Sequence, residues 1–182
     1  MDNEKKEFLD PKKIQAHLGI QSGAKVADFG CGSGEFSLRA ASIVGESGIV
    51  YAVDVREEAL NDIKTKVQAA DLENVEIVRA NLEVLGSTGF ADDSIDVVLV
   101  INILFQSKKP GNVIDEARRV LKPRGRLVII DWHKGAKGFG PPDENRHDQE
   151  AIKGEAISKG FETVDEFEAG DFHYGLAFVK SN

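Results

Sequence analysis

The chain has 182 residues, 41% of them hydrophobic and 30% charged, the size and mix of one globular domain with one core. Its formal net charge is −8, and its basic groups (Lys108-Lys109, Arg118-Arg119, Lys122-Pro123-Arg124) are short, which argues against nucleic acid as a partner. No apolar run approaches the roughly 20 residues of a bilayer span. Residues 1–7 are polar with no secretory apolar stretch, and the lone Cys31 excludes an internal disulfide and a cysteine-rich zinc site, so a reducing, cytoplasmic setting is expected.

In chain order, Pro11 in a first turn predicts a short helix from near Asp10, its cap, to Gly19. A turn at Gln21-Ser22-Gly23 leads into a buried strand over 25–29. Residues 35–44 read as a helix, broken by Gly45-Glu46-Ser47-Gly48, and 49–53 as a second strand. Ala59, Leu60, Ile63, Val67 and Ala70 recur at three- and four-residue spacing, which predicts a helix over 57–70. Residues 75–78 form a third strand and 86–93 a polar loop. The β-branched run 95–101 predicts a strand buried on both faces, as in a parallel sheet. A helix over 112–121 is closed by Lys122-Pro123-Arg124-Gly125, and 126–132 is a fifth strand. Residues 133–145, with Gly135, Gly138, Gly140, Pro141 and Pro142, read as a surface loop long enough to be functional. A helix over 147–159 and two strands, 161–167 and 173–179, joined through Ala169-Gly170-Asp171, complete the chain. Strand and helix alternate and two strands finish. This predicts an α/β fold: a doubly wound, mostly parallel seven-stranded sheet with an antiparallel C-terminal hairpin strand. One domain is expected over 1–182, with 1–20 a helical cover and 21–182 the core.

The first strand runs into Asp28-Phe29-Gly30-Cys31-Gly32-Ser33-Gly34-Glu35, and Asp54 ends the second strand. Strand, glycine turn, helix, strand and acidic residue is the layout that holds an adenosine-type cofactor at a sheet edge. A dinucleotide fingerprint G-x-G-x-x-G would need its third glycine at Glu35, and no G-x-x-x-x-G-K-[ST] occurs.

Asp28-x-Gly30-x-Gly32-x-Gly34 with Asp54 resembles the first two motifs of the class I S-adenosylmethionine-dependent methyltransferases, in the branch of ubiquinone and menaquinone methyltransferases and many small-molecule methylators. The resemblance runs from about Phe8 to the C-terminus and implies a Rossmann-like methyltransferase fold. It implies S-adenosyl-L-methionine as cofactor and S-adenosyl-L-homocysteine as product. Gly30, Cys31, Gly32 and Gly34 would approach the methionine part, with the helix N-terminus favouring its carboxylate. Asp28 would act across the turn on the amino or sulfonium end, and Cys31 would be a small filler. Asp54 would accept two ribose hydroxyls, the alternative being a plain strand-end carboxylate. Val55 would lie along the adenine. Asn81-Leu82 stands where the family commonly has an acidic residue reading the adenine amino group, so the amide would accept that bond without charge.

Asn102 lies in the segment that runs beside the methionine part and faces the substrate, or else caps the next segment. Its own stretch lacks the Asn-Pro-Pro-aromatic sequence of nucleobase methylators. Asp131, Trp132 and His133 would border the acceptor, with His133 as a proton acceptor or else a solvent-exposed loop residue. His17, His147 and His173 read as helix-surface or edge-strand residues, and no metal is expected. In-line methyl transfer needs alignment more than a catalytic dyad. A chain of this length has little room for a separate recognition domain, so a small-molecule acceptor is the expected partner, with 8–18 covering the cofactor and 133–145 the acceptor. A second subunit, as in a homodimer, could complete the pocket. Arsenic methylation generally needs several cysteines and is set aside. The rivals are a non-catalytic cofactor sensor or partner subunit, and a nicotinamide-dinucleotide oxidoreductase.

Overall fold

The computed structural model describes residues 8–136 and 138–182; the polar start expected at residues 1–7 lies outside them. Seven strands form one sheet: β1 (Lys25–Phe29), β2 (Ile49–Asp54), β3 (Val75–Arg79), β4 (Ile95–Ile101), β5 (Leu121–Trp132), β6 (Phe161–Glu168) and β7 (His173–Lys180). The helices are α1 (Gln15–Leu18), α2 (Glu35–Val44), α3 (Glu57–Ala69), α4 (Pro110–Val120) and α5 (Gln149–Ser158). The strand order is β3-β2-β1-β4-β5-β7-β6.

Pairing is parallel from β3 through β5, and only β7 runs against its neighbours. The reversed strand therefore sits one place in from the edge. β6 recovers the common direction and forms the edge itself, with Glu162, Asp165, Glu166 and Glu168 resisting the addition of another strand. β1 pairs β2 on one side and β4 on the other. Chain direction across the sheet reverses between those two pairings, and a crevice opens there beyond the carboxyl ends. Because β7 is reversed, its first residue, His173, lies opposite Trp132 at that same end.

The uniform apolar run predicted to be buried on both faces is: β4 is enclosed along almost its whole length. One layer of core gathers Phe29, Val98, Ile114, Leu127 and Phe178; the other gathers Leu18, Val26, Ala40, Leu99 and Val128.

α4 begins at Pro110, two residues before the expected start, and three further differences from the sequence reading have a visible cause. The first helix shrinks to one turn, because Asp10 Oδ1 accepts from the Lys12 amide at 2.8 Å and shapes a turn ahead of it instead of capping it. Lys122–Gly125 does more than close a helix. Ile95 pairs with Leu121 and Val97 with Arg126, so the four residues bulge out of a strand already begun, and Arg124 takes φ +64°. α5 starts later than expected, where Asp148 accepts from the amides of Glu150 at 3.0 Å and Ala151 at 3.3 Å. Among the described residues, no helix is long and apolar enough to cross a membrane.

Below the sheet, Glu116 of α4 is fully buried and ties down the 86–93 loop. It accepts from Arg119 Nη2 at 2.8 Å and Nε at 3.0 Å, from Thr88 Oγ1 at 2.5 Å and from the Gly86 amide at 2.7 Å. Burial alone would raise its pKa, but these four donors outweigh burial and hold it at about 2. A carboxylate depressed from about 4.5 stabilises the fold above pH 4.5 and loses that stabilisation as pH falls toward 2. Glu116→Gln is therefore expected to cost about 3 kcal/mol at pH 7 and progressively less below pH 4, read by urea denaturation across pH. A cost that does not change with pH would contradict the assignment.

Candidate functional site

All three glycines of the turn take left-handed φ: +76° at Gly30, +51° at Gly32 and +82° at Gly34. They do so for different reasons. A Cβ at Gly30 would stand 2.2 Å from Ile103 Cγ2, and one at Gly34 would stand 2.6 Å from Ile63 Cγ1. These two let backbone pack against side chains. A Cβ at Gly32 would meet nothing closer than 3.9 Å and would project into the crevice. The turn is pinned by the Gly30 and Cys31 amides, which donate to Val53 O at 2.7 and 2.9 Å. Gly34, at the N-cap of α2, has no side chain to cap it, and Asp28 engages the Ser37 amide from behind, which leaves the amides of Glu35 and Phe36 toward the crevice that both residues line. Cys31 lines the crevice but is buried, and burial beside Asp28 and Asp54 pushes its thiol far up, which leaves it inert.

Asp28 stands behind the turn and does not border the crevice. It is 2% exposed and accepts from Ser37 Oγ of α2 at 2.5 Å. Burial raises it to about 6, against the opposing effect of Ser37. Its place is to fix α2 to β1.

The crevice has two compartments. One, of about 280 Å³, is bordered by Asp54, Val55, Ala80, Asn81, Leu82 and Glu83, among others. Asp54 is 4% exposed and accepts from the Gly32 amide at 3.1 Å, the Arg56 amide at 2.9 Å and the Arg56 guanidinium at 3.3 Å. Burial works against ionisation, but Arg56 and Gly32 together hold its pKa below the usual range. Val55 is half exposed beside it. Asn81 reaches the compartment, but its side-chain oxygen already accepts from the Glu83 amide at 3.0 Å. The acidic group in this wall is Glu83, which sequence reasoning passed over. It accepts from Ser107 Oγ at 2.6 Å and the Lys108 amide at 2.7 Å, chiefly the former lowering its pKa.

The second compartment, of about 330 Å³, shares Gly30, Arg56, Ile103 and Gln106 with the first, so the two adjoin. Its wall includes Phe36, Asn102, Trp132 and His173, with Phe8 and Leu9 of the N-terminal segment across it. Asn102 holds φ +54°, which asparagine tolerates better than most residues, and its buried Oδ1 has no partner.

Neither expected acid–base residue borders this compartment. Asp131 is 1% exposed and accepts from the amides of Leu104 at 2.9 Å, Phe105 at 3.3 Å and Trp132 at 2.8 Å. Burial raises it to about 6. Its carboxylate builds the 3₁₀ turn Leu104–Gln106 that carries Gln106 into the crevice. His133 turns outward, its Nε2 2.8 Å from Glu168 Oε2. His173 takes the place expected of it. Read from sequence as an edge-strand residue, it is 2% exposed because β7 is an interior strand. Its ring lies 4.0 Å from that of Trp132, and neither ring nitrogen has a partner. Burial, then His133 and Arg146, lowers it to about 4, so it is neutral at pH 7. The only sequence signal was the reversed final strand, which brings its first residue to the crevice.

The 133–145 loop folds over Trp132; a Cβ at Gly140 would stand 2.5 Å from the indole. Arg146, 5% exposed, holds the loop by donating to the carbonyls of His133 at 2.9 Å, Ala136 at 2.7 Å, Phe139 at 2.7 Å and Pro141 at 2.9 Å. Its guanidinium carbon also lies 5.7 Å from the indole ring centre.

Residues 20–171 match the sequence profile of a methyltransferase-domain family. The chain is 35% identical over 120 residues to a demethylmenaquinone methyltransferase of Listeria welshimeri, covering 66% of this chain and 50% of that protein. It is 32% identical over 155 residues to an arsenite methyltransferase of Halobacterium salinarum, covering 85% of this chain and 38% of that one. It thus spans about half or less of the length of these curated relatives. A crystal structure of an S-adenosylmethionine-dependent methyltransferase of Aquifex aeolicus superposes with a TM-score of 0.86 at 29% identity, covering 94% of this chain and 90% of that one.

Proposed function

Because the chain belongs to the class I S-adenosylmethionine-dependent methyltransferases, we propose that it transfers the cofactor's methyl group in line to a small-molecule acceptor, the adenosine part lying in the first compartment and the cofactor's amino-acid part meeting the acceptor in the second. The cofactor supplies an electrophilic methyl group on a positively charged sulfur; the chain supplies grip, alignment and dryness. The observation that carries the reading is the pairing of two compartments across one glycine turn, with Asp54 on one and the open face of Gly32 on the other.

The residues fit an adenosyl amino acid. Asp54 has two oxygens for vicinal ribose hydroxyls once Arg56 gives way. Val55, Ala80 and Leu82 offer apolar surface for adenine. The uncapped start of α2 suits a carboxylate, and the orphaned Oδ1 of Asn102 suits an ammonium donor. Cys31 is the chain's single cysteine and its raised thiol is a poor metalloid ligand, so an organic acceptor is favoured over arsenite. Phe8 and Leu9 support the reading of the N-terminal segment as a cover.

Release of S-adenosylhomocysteine across quinols, phenols, amines and arsenite tests the proposal. Turnover is expected with an organic acceptor and none with arsenite. Tight cofactor binding without turnover on any acceptor would favour a sensor. Gly32→Ala separates binding from folding: it should lose only about 1 kcal/mol of stability, from its left-handed φ, yet weaken S-adenosylhomocysteine binding at least tenfold. Unchanged affinity in calorimetry would show that the turn does not touch the ligand.

A further inference from the structure

We propose that His147 is a positioning residue for methyl transfer. Together with Asp131 it clamps the Leu104 peptide from opposite sides, and the clamped turn holds Ile103 and Gln106 where the two compartments meet. The proposal rests on the methyltransferase reading and adds to it a residue that borders neither compartment.

The turn that needs holding is short. Leu104–Gln106 is a single 3₁₀ turn with no side-chain cap, and it follows Asn102, whose φ is +54°. So short a 3₁₀ segment has poor internal hydrogen bonds and leaves its first amides without intrahelical partners. Its placement nevertheless governs binding, because Ile103 and Gln106 border both compartments. With the nucleoside in the first and the amino-acid part in the second, the sulfur and its methyl group lie between, beside these two side chains.

Asp131 takes the donor side of the peptide, accepting from the amides of Leu104 at 2.9 Å and Phe105 at 3.3 Å. His147 takes the other side. Its Nε2 lies 2.9 Å from the Leu104 carbonyl oxygen, so that nitrogen carries the hydrogen and donates. The same carbonyl accepts from the Ser107 amide at 2.9 Å, which closes the turn. The Leu104 side chain is fully buried in the core, so the peptide is fixed by its side chain as well. Read from sequence as a helix-surface residue, His147 instead stands before α5 begins, half-buried and 43 residues along the chain from its acceptor. Its neighbours set its reach. Arg146 is fastened to the loop carbonyls, and Asp148 caps α5 through the amides of Glu150 and Ala151. Three consecutive residues thus bind three different elements, and the one that His147 binds borders the cofactor.

Three variants and one probe, S-adenosylhomocysteine, test the clamp. His147→Leu keeps bulk and removes the donor. His147→Gln keeps a donor at the reach of Nε2, and Asp131→Asn replaces one acceptor oxygen by a donor. Calorimetry on each reads affinity, and a stoichiometry of one shows that the variant is folded. His147→Leu should weaken binding about tenfold, the worth of one hydrogen bond used to hold the turn. His147→Gln should stay within about threefold of the wild type. In the protein carrying both His147→Leu and Asp131→Asn, the loss should fall well short of the product of the single losses, because both act through one peptide. Hydrogen exchange at the Leu104 and Phe105 amides should speed up in His147→Leu. Should that variant not fold, His147→Asn, whose amide falls short of Leu104, takes its place. A residue that only stabilises the fold would lower the melting temperature and leave the affinity of the folded protein alone. Wild-type affinity in His147→Leu, equal losses in the Leu and Gln variants, or single losses that multiply in the double variant would overturn the proposal alone. Failure of the wild type to bind S-adenosylhomocysteine would overturn the methyltransferase reading, and the exchange rates would then decide the clamp.

Discussion

Asp54→Ala should weaken S-adenosylhomocysteine binding by about a hundredfold or more, and should also lower stability by about 1–3 kcal/mol because the Gly32 and Arg56 amides lose their acceptor. The loss of affinity reflects the bonds exchanged. Each hydrogen bond from a ribose hydroxyl to an ionised carboxylate contributes about 1.5–3 kcal/mol, and two are available. Part is offset because Asp54 must release the Arg56 guanidinium, whose contacts are long at 3.3 Å. Hence Arg56→Ala should do the opposite: affinity should hold or improve, since the carboxylate no longer has to exchange partners. Calorimetry on both variants checks the pair. Equal losses in the two would mean that Arg56 itself grips the ligand and that Asp54 only orients it.

Arg146→Met should lower stability by about 3 kcal/mol and free the 133–145 loop. Four backbone carbonyls depend on one guanidinium, and methionine replaces its bulk but none of its donors. Among the described residues Arg146 has no carboxylate partner, so no buried charge is orphaned by the change. The expected signature is local. Proteolysis within the loop should speed up severalfold, and Trp132 emission should shift to the red as Gly140 lifts off the indole. S-adenosylhomocysteine affinity should be unchanged, because the loop does not border the compartment of Asp54. Resistance to proteolysis equal to wild type would refute the staple.

The strands and most helices were legible because their signals are local. The apolar run at Ile95–Ile101 and the glycine turn with Asp54 each state their geometry within a few residues. Lys122–Gly125 was misread because proline and glycine mark any interruption, and a bulge within a strand looks like the end of a helix. On the site, chain-local reasoning reached the side of the crevice built by consecutive β-α-β segments. It misjudged the other side. His133 comes directly after β5 and was the natural candidate for a base, but alternation along the strand turns it toward Glu168. Asp131 has an acidic side chain in the right place, and its oxygens are all directed at amides. His173 could be weighed correctly only by knowing that β7 inserts beside β5, which pairs it with Trp132 across a long stretch of chain. Arg146 gave no sequence signal, since nothing marks a lysine or arginine that will donate to carbonyls.

The reversal of β7 has a consequence for how such a molecule can change. Everything that would meet the nucleoside lies no later than Val113, while Trp132, His173 and the loop held by Arg146 belong to the last third of the chain. The second compartment is thus built from both ends of the chain, Phe8, Phe36 and Ile103 standing with Trp132 and His173, whereas the first is built from one. A graft of 133–173 from a relative should reshape one wall of the second compartment and leave the compartment of Asp54 as it was.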